Sequence, residues 1–174
     1  MILSNPVTDI RKLFQIKNTN NQIQDNALFF DTGGEALVFG LNEIKFDKEK
    51  TILLPSYICK SVSEILKSNG FTICFIDINK SLSIDIKKFA DLLSSNSRIG
   101  AFLLIHYFGF RNEDIKEIHH ECNKREVLLI EDCCHCSFNE NHSENNLYSD
   151  LKIYSLRKFI NIPDGGMLFQ RKDF

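Results

Sequence analysis

The sequence predicts a three-layer α/β/α domain on a mostly parallel central sheet. Three observations carry that expectation. Short apolar runs alternate with segments of helical spacing along most of the chain. Several of the runs are apolar at every position, as strands covered on both faces must be. The runs also stop abruptly at turn-forming or titratable residues, as Val127-Leu128-Leu129-Ile130 does at Glu131-Asp132.

Residues 1–26 are polar and Asn-rich after a short possible helix around Thr8 to Phe14, and they read as a lead-in arm to a domain over 27–174. Ala27-Leu28-Phe29-Phe30 is the first strand. It breaks at Asp31-Thr32-Gly33-Gly34 before the helical spacing of Glu35 to Leu41. A strand, a glycine turn and a helix start form a phosphate-cradle layout, because backbone N–H groups are exposed there. The same Gly-Gly taken alone reads equally as an ordinary tight turn. Thr51 to Leu54 is a second strand ended by Pro55-Ser56, and Tyr57 to Gly70 reads as a helix closed by Asn69-Gly70. Phe71 to Ile76 is the third strand, with a helix following between Ser83 and Ser95. Ile99 to Ile105 is the fourth and runs into His106-Tyr107-Phe108-Gly109. Glu113 to Arg125 is a charged amphipathic helix, and Val127 to Ile130 is the fifth strand. Residues 137–149 lack core-forming periodicity and read as a loop. Leu151 to Ser155 is a short strand, and Gly165 to Gln170 returns after a connection containing Pro163.

A chain of 174 residues suits one domain with a substantial core. The net charge of −2 gives no electrostatic reason to expect nucleic acid or an anionic membrane as partner. The N-terminus lacks a basic start followed by a long apolar run, and no apolar stretch reaches membrane-spanning length, so a cytoplasmic protein is expected. In that setting the six cysteines are expected to be free thiols. Cys74 and Cys122 read as small buried hydrophobes. Cys133, Cys134, His135 and Cys136 resemble a metal cluster at first sight, but adjacent cysteines fit one tetrahedron poorly and no metal is expected. The Cys133 to Cys136 spacing lies past a strand end, away from the layout of the redox motif.

Asp132 at one strand end and Lys158 just past another are the two groups that pyridoxal 5'-phosphate asks of a protein. The amine attaches the cofactor and the anion keeps its pyridinium nitrogen protonated. The bland alternatives are a strand-end cap for Asp132 and a solvated surface lysine for Lys158. Glu131 alternates to the opposite face of its strand, toward the structural side. His119 and His120, on a charged helix, read as surface residues.

These pieces together resemble the large domain of fold-type I pyridoxal phosphate enzymes, and within them the DegT/DnrJ/EryC1/StrS family of sugar aminotransferases. Thr32-Gly33-Gly34-Glu35-Ala36-Leu37 resembles the family's Ser-Gly-Thr-Ala-Ala-Leu. Leu54-Pro55-Ser56-Tyr57 is similar to Val-Pro-Ser-Tyr, Phe75-Ile76-Asp77-Ile78 to Phe-Val-Asp-Ile, and His106-Tyr107-Phe108-Gly109 to His-Leu-Tyr-Gly. Ile130 to His135 is similar to Ile-Glu-Asp-Ala-Ala-Gln, and Tyr154-Ser155 through Lys158 to Gly165-Gly166-Met167 resembles Phe-Ser-Phe-His-x-x-Lys followed by Gly-Gly-Met.

The resemblance implies Lys158 and Asp132 as catalytic residues. It implies Gly33, Gly34, Glu35, Tyr57, Cys59, Cys134, His135 and Ser155 around the cofactor, with His106 at a cofactor-side place. The sequence departs from the family at Gly34, where the phosphate-binding threonine stands, and at Cys59, where an aromatic stacks on the ring, leaving Tyr57 as a substitute. The interval from Ser155 to Lys158 is two residues shorter than in the family, and Arg157 stands ready to take the anion. The implied activity is amino transfer from an amino acid to a nucleotide-linked keto-sugar in a homodimer, with the partner subunit contributing to the site. The chain ends where such enzymes continue into further large-domain structure and a small C-terminal domain. That implies a fragment, a split gene product or an inert remnant. Another fold-type I reaction on an amino acid is the remaining alternative.

Overall fold

The computed structural model describes residues 27–136 and 148–171. The lead-in arm, the helix expected around Thr8 to Phe14 and most of the 137–149 loop lie outside those residues. In chain order the elements are β1 (Ala27–Phe30), α1 (Gly33–Glu43), β2 (Thr51–Pro55), α2 (Lys60–Ser68), β3 (Thr72–Ile76), α3 (Ile86–Ser95) and β4 (Ile99–Ile105). They continue with α4 (Ile115–Asn123), β5 (Leu128–Asp132), β6 (Leu151–Ser155) and β7 (Gly166–Gln170). One-turn 3-10 segments occupy Tyr107–Gly109 and Leu156–Lys158.

The seven strands form one sheet in the order β1-β7-β6-β5-β4-β2-β3. Pairings from β3 through β6 are all parallel, whereas β7 runs antiparallel to both β6 and β1. Alternation along the central strands sorts side chains into two cores. Ile52, Leu54, Ala101 and Leu103 pack with Leu37 and Leu41 of α1 and Leu66 of α2. Leu53, Phe102 and Leu104 pack with Phe89 of α3 and Ile118 of α4 on the other face. Because successive strand side chains point to opposite faces, a fully apolar strand demands a helix layer on each side. Phe89 and Phe102 meet with ring centroids 4.7 Å apart and tilted by 51°, a contact adding about 0.5–1.5 kcal/mol beyond the area buried.

Three expectations are corrected. Helix α2 starts at Lys60 rather than Tyr57, because the Tyr107 hydroxyl donates to the Tyr57 carbonyl at 2.7 Å and Cys59 is extended as the N-cap. The third strand lies at the sheet edge, so Phe75 is 50% exposed and Cys74 is only half-buried. His119 is not a free surface residue: Nδ1 meets the Tyr148 carbonyl, and Nε2 pairs with Asn123 at 2.8 Å. It shares its helix face with Ile115, Ile118 and Cys122. No helix among the described residues is long and apolar enough to cross a membrane.

Candidate functional site

The carboxyl ends of β4, β5 and β6 and the start of α1 surround one cavity of about 460 Å³, within the usual range for small-molecule sites. Gly33 and Gly34 of α1 form one end, with Ser155, Arg157 and Lys158 beside them. Asp132, Cys134 and His135 come from the end of β5 and its following turn, and Tyr57 and Cys59 close the cavity from before α2. Thr32, Ser61, Val62, Ile65, Tyr107 and Phe108 complete the wall.

Glu35 and His106 are the two residues of the predicted set outside this lining. For Glu35 the reason is local. Its carboxylate accepts from Thr32 N at 3.1 Å, while Thr32 Oγ1 accepts from Glu35 N at 3.2 Å, a reciprocal capping box. The anion is thereby turned away from the cavity and spent on ordering the helix start. The amides of Gly33 and Gly34, in the first turn, have no carbonyl four residues back within the helix. Gly33 is also required sterically, since a Cβ there would lie 2.9 Å from Cys134 Sγ and 3.3 Å from the Tyr154 carbonyl oxygen.

Asp132 is buried, and its Oδ1 accepts from Cys134 N at 2.9 Å. Lys158 and Arg157 are exposed at the cavity mouth. The charges of Lys158 and Asp132 both reach the same three side chains. Ser61, through its hydroxyl and amide, lowers the Cys59 thiol pKa below the ordinary value; burial opposes this, Lys158 adds to it and Asp132 opposes it. Burial pushes the Cys134 thiol up, Asp132 adds to that, and Lys158 opposes it. His135 is held below its ordinary value by burial and by Lys158, against Asp132. The Phe108 ring stacks on His135 with centroids 6.0 Å apart and an interplanar angle of 9°.

Burial, with Asp132 and Tyr57 adding, pushes the Tyr107 phenol up to about 12, so it stays a donor across any working pH. Tyr107→Phe removes its bond to the Tyr57 carbonyl, a loss of about 1 kcal/mol. Thermal unfolding of the variant is expected to shift down by roughly 2–4 °C. An unchanged midpoint would show that the bond does not hold the 57–59 segment.

His106 does not line the cavity. It is 2% exposed; Nδ1 accepts from Asn112 N at 3.0 Å, and Nε2 lies 2.7 Å from Glu131 Oε2. Since Nδ1 accepts, the ring proton sits on Nε2 and is donated to Glu131. Glu131 also receives the Ser149 hydroxyl and the Lys152 ammonium, the latter at 3.1 Å. Burial favours its neutral form, but the His106 hydrogen bond, Lys152 and Ser149 outweigh that and pull the carboxyl down to about 2. His106, Glu131 and Cys133 place donor atoms within 4.8 Å of one another. The arrangement reads as a closed hydrogen-bonded network, because a metal would have to strip the proton from Nε2 beside an ammonium.

An α/β/α sheet of this order, with a helix start, an acid and an amine around a cavity at its carboxyl edge, is the large-domain fold of the fold-type I pyridoxal phosphate-dependent transferases. The chain belongs to the DegT/DnrJ/EryC1/StrS aminotransferase family, whose model matches residues 20–173. Among solved structures, it resembles NtdA from Bacillus subtilis with bound cofactor PMP, at 18% identity and a TM-score of 0.70, over 83% of this chain and 33% of that one. It also resembles the aminotransferase TlmJ from Streptoalloteichus hindustanus, at 21% identity and a TM-score of 0.69, over 84% of this chain and 40% of that one. A third is GDP-4-keto-6-deoxymannose-3-dehydratase (ColD) with bound GDP-perosamine, at 19% identity and a TM-score of 0.67, over 83% and 39%. The chain thus spans 33–40% of the length of these structures. No curated protein matches it in sequence.

Proposed function

We propose that residues 27–174 are the cofactor-holding part of a pyridoxal 5'-phosphate-dependent aminotransferase that moves an amino group from an amino acid to a nucleotide-linked keto-sugar. The observation that carries this reading is the convergence of Asp132, Lys158 and the α1 start on one cavity. The ColD neighbour, with its GDP-linked sugar, supports the acceptor class.

The donor set fits a flat phosphorylated ring. An anion is suited to the Gly33 and Gly34 amides and the positive end of α1, joined by the Ser155 hydroxyl and the Arg157 guanidinium. Asp132 is the one carboxylate among the cavity-lining residues and suits a cationic ring nitrogen. Cys134, Cys59 and Tyr57 offer the ring faces small or flat soft surfaces, and His135 offers a hydrogen bond to a ring hydroxyl. When bound, the cofactor supplies an electron sink for the pair released at the substrate's amino-bearing carbon. Lys158 is the amine that attaches the cofactor and then carries the proton to and from that carbon. The side chains of Tyr107 and Phe108 help exclude water from the reacting face.

We assign the protein to the cytoplasm on its free thiols. We take it to act as a homodimer, in keeping with Tyr57 and Phe108 at the cavity wall being 57% and 62% exposed.

The test is amino transfer from glutamate to a panel of nucleotide-linked keto-sugars by the full chain with added pyridoxal 5'-phosphate, read as 2-oxoglutarate and amino-sugar by mass spectrometry. Product is expected, and Lys158→Ala is expected to abolish it. Asp132→Asn should lower the rate by roughly 10²-fold or more, the scale of losing one preorganised charge, while leaving the folded state intact. A folded, cofactor-loaded chain that forms no amino-sugar would overturn the reading in favour of another fold-type I reaction. A folded chain that takes up no cofactor would favour an inert remnant.

A further inference from the structure

A second cavity, of about 450 Å³, adjoins the first at Tyr107. It shares Ile105 and Tyr107 with the cofactor cavity, so one residue pair walls both. Its remaining lining comes from two short segments, the turn after β3 and the stretch between the Tyr107–Gly109 turn and α4.

The chemistry of this second cavity differs from that of the first. The turn after β3 supplies the Ser81 and Ser83 hydroxyls, tied together through Asn79 Oδ1, which accepts from Ser81 Oγ at 2.7 Å. The other segment supplies Arg111, Asn112 and Glu113. The Asn112 amide is fixed on His106 Nδ1 at 3.0 Å, and Asn112 Oδ1 accepts from Asp114 N at 2.9 Å. Arg111 takes part in no ion pair among the described residues. Phe110 contributes a ring that is 79% exposed.

The mixture of signs selects the ligand. A bare anion is opposed by Glu113 and Asp114, and a bare cation is opposed by Arg111. A neutral ring bearing several hydroxyls can satisfy all of them at once: carboxylates accept, the guanidinium donates, and serine hydroxyls do either. An exposed aromatic face beside such a polar set suits the C–H face of a sugar ring.

We propose that this cavity seats a hydroxyl-rich ring, a pyranose or ribose, of the same acceptor whose reacting carbon is brought to Lys158. The part that links it to Lys158 rests on the aminotransferase reading. The sugar-binding part stands on the lining alone. Ile105 and Tyr107 line both cavities, so the two seats adjoin at the carboxyl edge of the sheet.

Saturation-transfer NMR on the full chain tests it, with UDP-glucose, methyl glucoside and uridine as separate probes. The ring protons of glucose or ribose are expected to receive saturation. Arg111→Ala is expected to weaken UDP-glucose binding by about tenfold, the loss of one hydrogen bond to a charged group, and Phe110→Ala, which removes the exposed ring face, is expected to weaken it several-fold. Lys67→Ala, exposed and outside both cavities, is expected to leave that binding unchanged. Unfolding midpoints of the two variants, compared with the parent, separate lost binding from lost fold. Saturation confined to the uracil protons, or equal in parent and variants, would overturn the proposal. Cofactor attachment at Lys158, read separately by mass, keeps the two readings apart. Sugar contacts with no cofactor attachment would sink the aminotransferase reading and sustain the sugar seat, and attachment with no sugar contacts would sink the seat alone.

Discussion

Gly166→Ala is expected to cost about 3 kcal/mol or more and to weaken cofactor binding by at least about tenfold. A Cβ at Gly166 would lie 2.1 Å from the Thr32 carbonyl oxygen and 2.8 Å from Gly33 N. Those atoms are backbone, at the start of α1, so no side-chain rotation relieves the clash. The neighbouring bonds make the site a joint: Gly165 N donates to the Asp31 carbonyl at 2.9 Å, and Leu156 N donates to the Gly165 carbonyl at 2.6 Å. The segment before the α1 start and the turn carrying Lys158 are therefore both sewn to Gly165-Gly166. Denaturant unfolding and cofactor titration of the variant together check this. A variant with parental stability and affinity would show that the joint yields without disturbing either.

Glu131→Gln should be the second severe change, at about 3–5 kcal/mol, or a fall of roughly 6–20 °C in the unfolding midpoint. Glu131 is 2% exposed and Lys152 is 5% exposed, so the substitution leaves an ammonium buried without the carboxylate it faces at 3.1 Å. The Lys60–Glu64 pair has the same 3.1 Å separation with side chains 86% and 60% exposed, and removing it should change stability by less than about 0.5 kcal/mol. Burial, not distance, separates the two. The carboxyl of Glu131 is held at about 2 in the folded chain against an ordinary 4.5. Its contribution is therefore complete above about pH 4.5 and is lost as pH falls toward 2. Stability curves over that window should show an acid slope in the parent that is reduced in Glu131→Gln. An equal slope in both would assign acid unfolding to other carboxylates.

Much of the architecture was legible because it rests on local pattern. The boundaries of β1, β4 and β6 match the expected strands residue for residue; β4 is buried along nearly its whole length, and its apolar run ends where the cover ends. Strand β5 runs two residues past its apolar stretch, because Glu131 and Asp132 still pair with Lys152 and Ile153 of β6. What the local pattern missed depends on distant groups. The start of α2 is set by a hydroxyl 50 positions away in sequence. The His106–Glu131–Lys152 network joins the residue after β4 to β5 and β6, and nothing in a single run announces it.

The site divides in the same way. Gly33, Gly34, Asp132, Cys134, His135, Ser155 and Lys158 all sit at strand ends or helix starts, and the structure gathers them on one cavity. Glu35 does not line the cavity; Thr32-Gly33-Gly34-Glu35 carries the spacing of a capping box, the signal that accounts for its place. Phe108 lines the cavity without a sequence signal for that role. Its φ of +55° is an unusual backbone state for a bulky residue, and no residue-level pattern reveals it.

The most direct measurement is reductive trapping. The full chain is incubated with pyridoxal 5'-phosphate, reduced with borohydride and mapped by peptide mass. The account predicts one dominant adduct, on Lys158, absent in Lys158→Ala and formed only at higher cofactor concentration in Asp132→Asn. A folded chain with no adduct, or with adducts scattered over other lysines and none on Lys158, would contradict it.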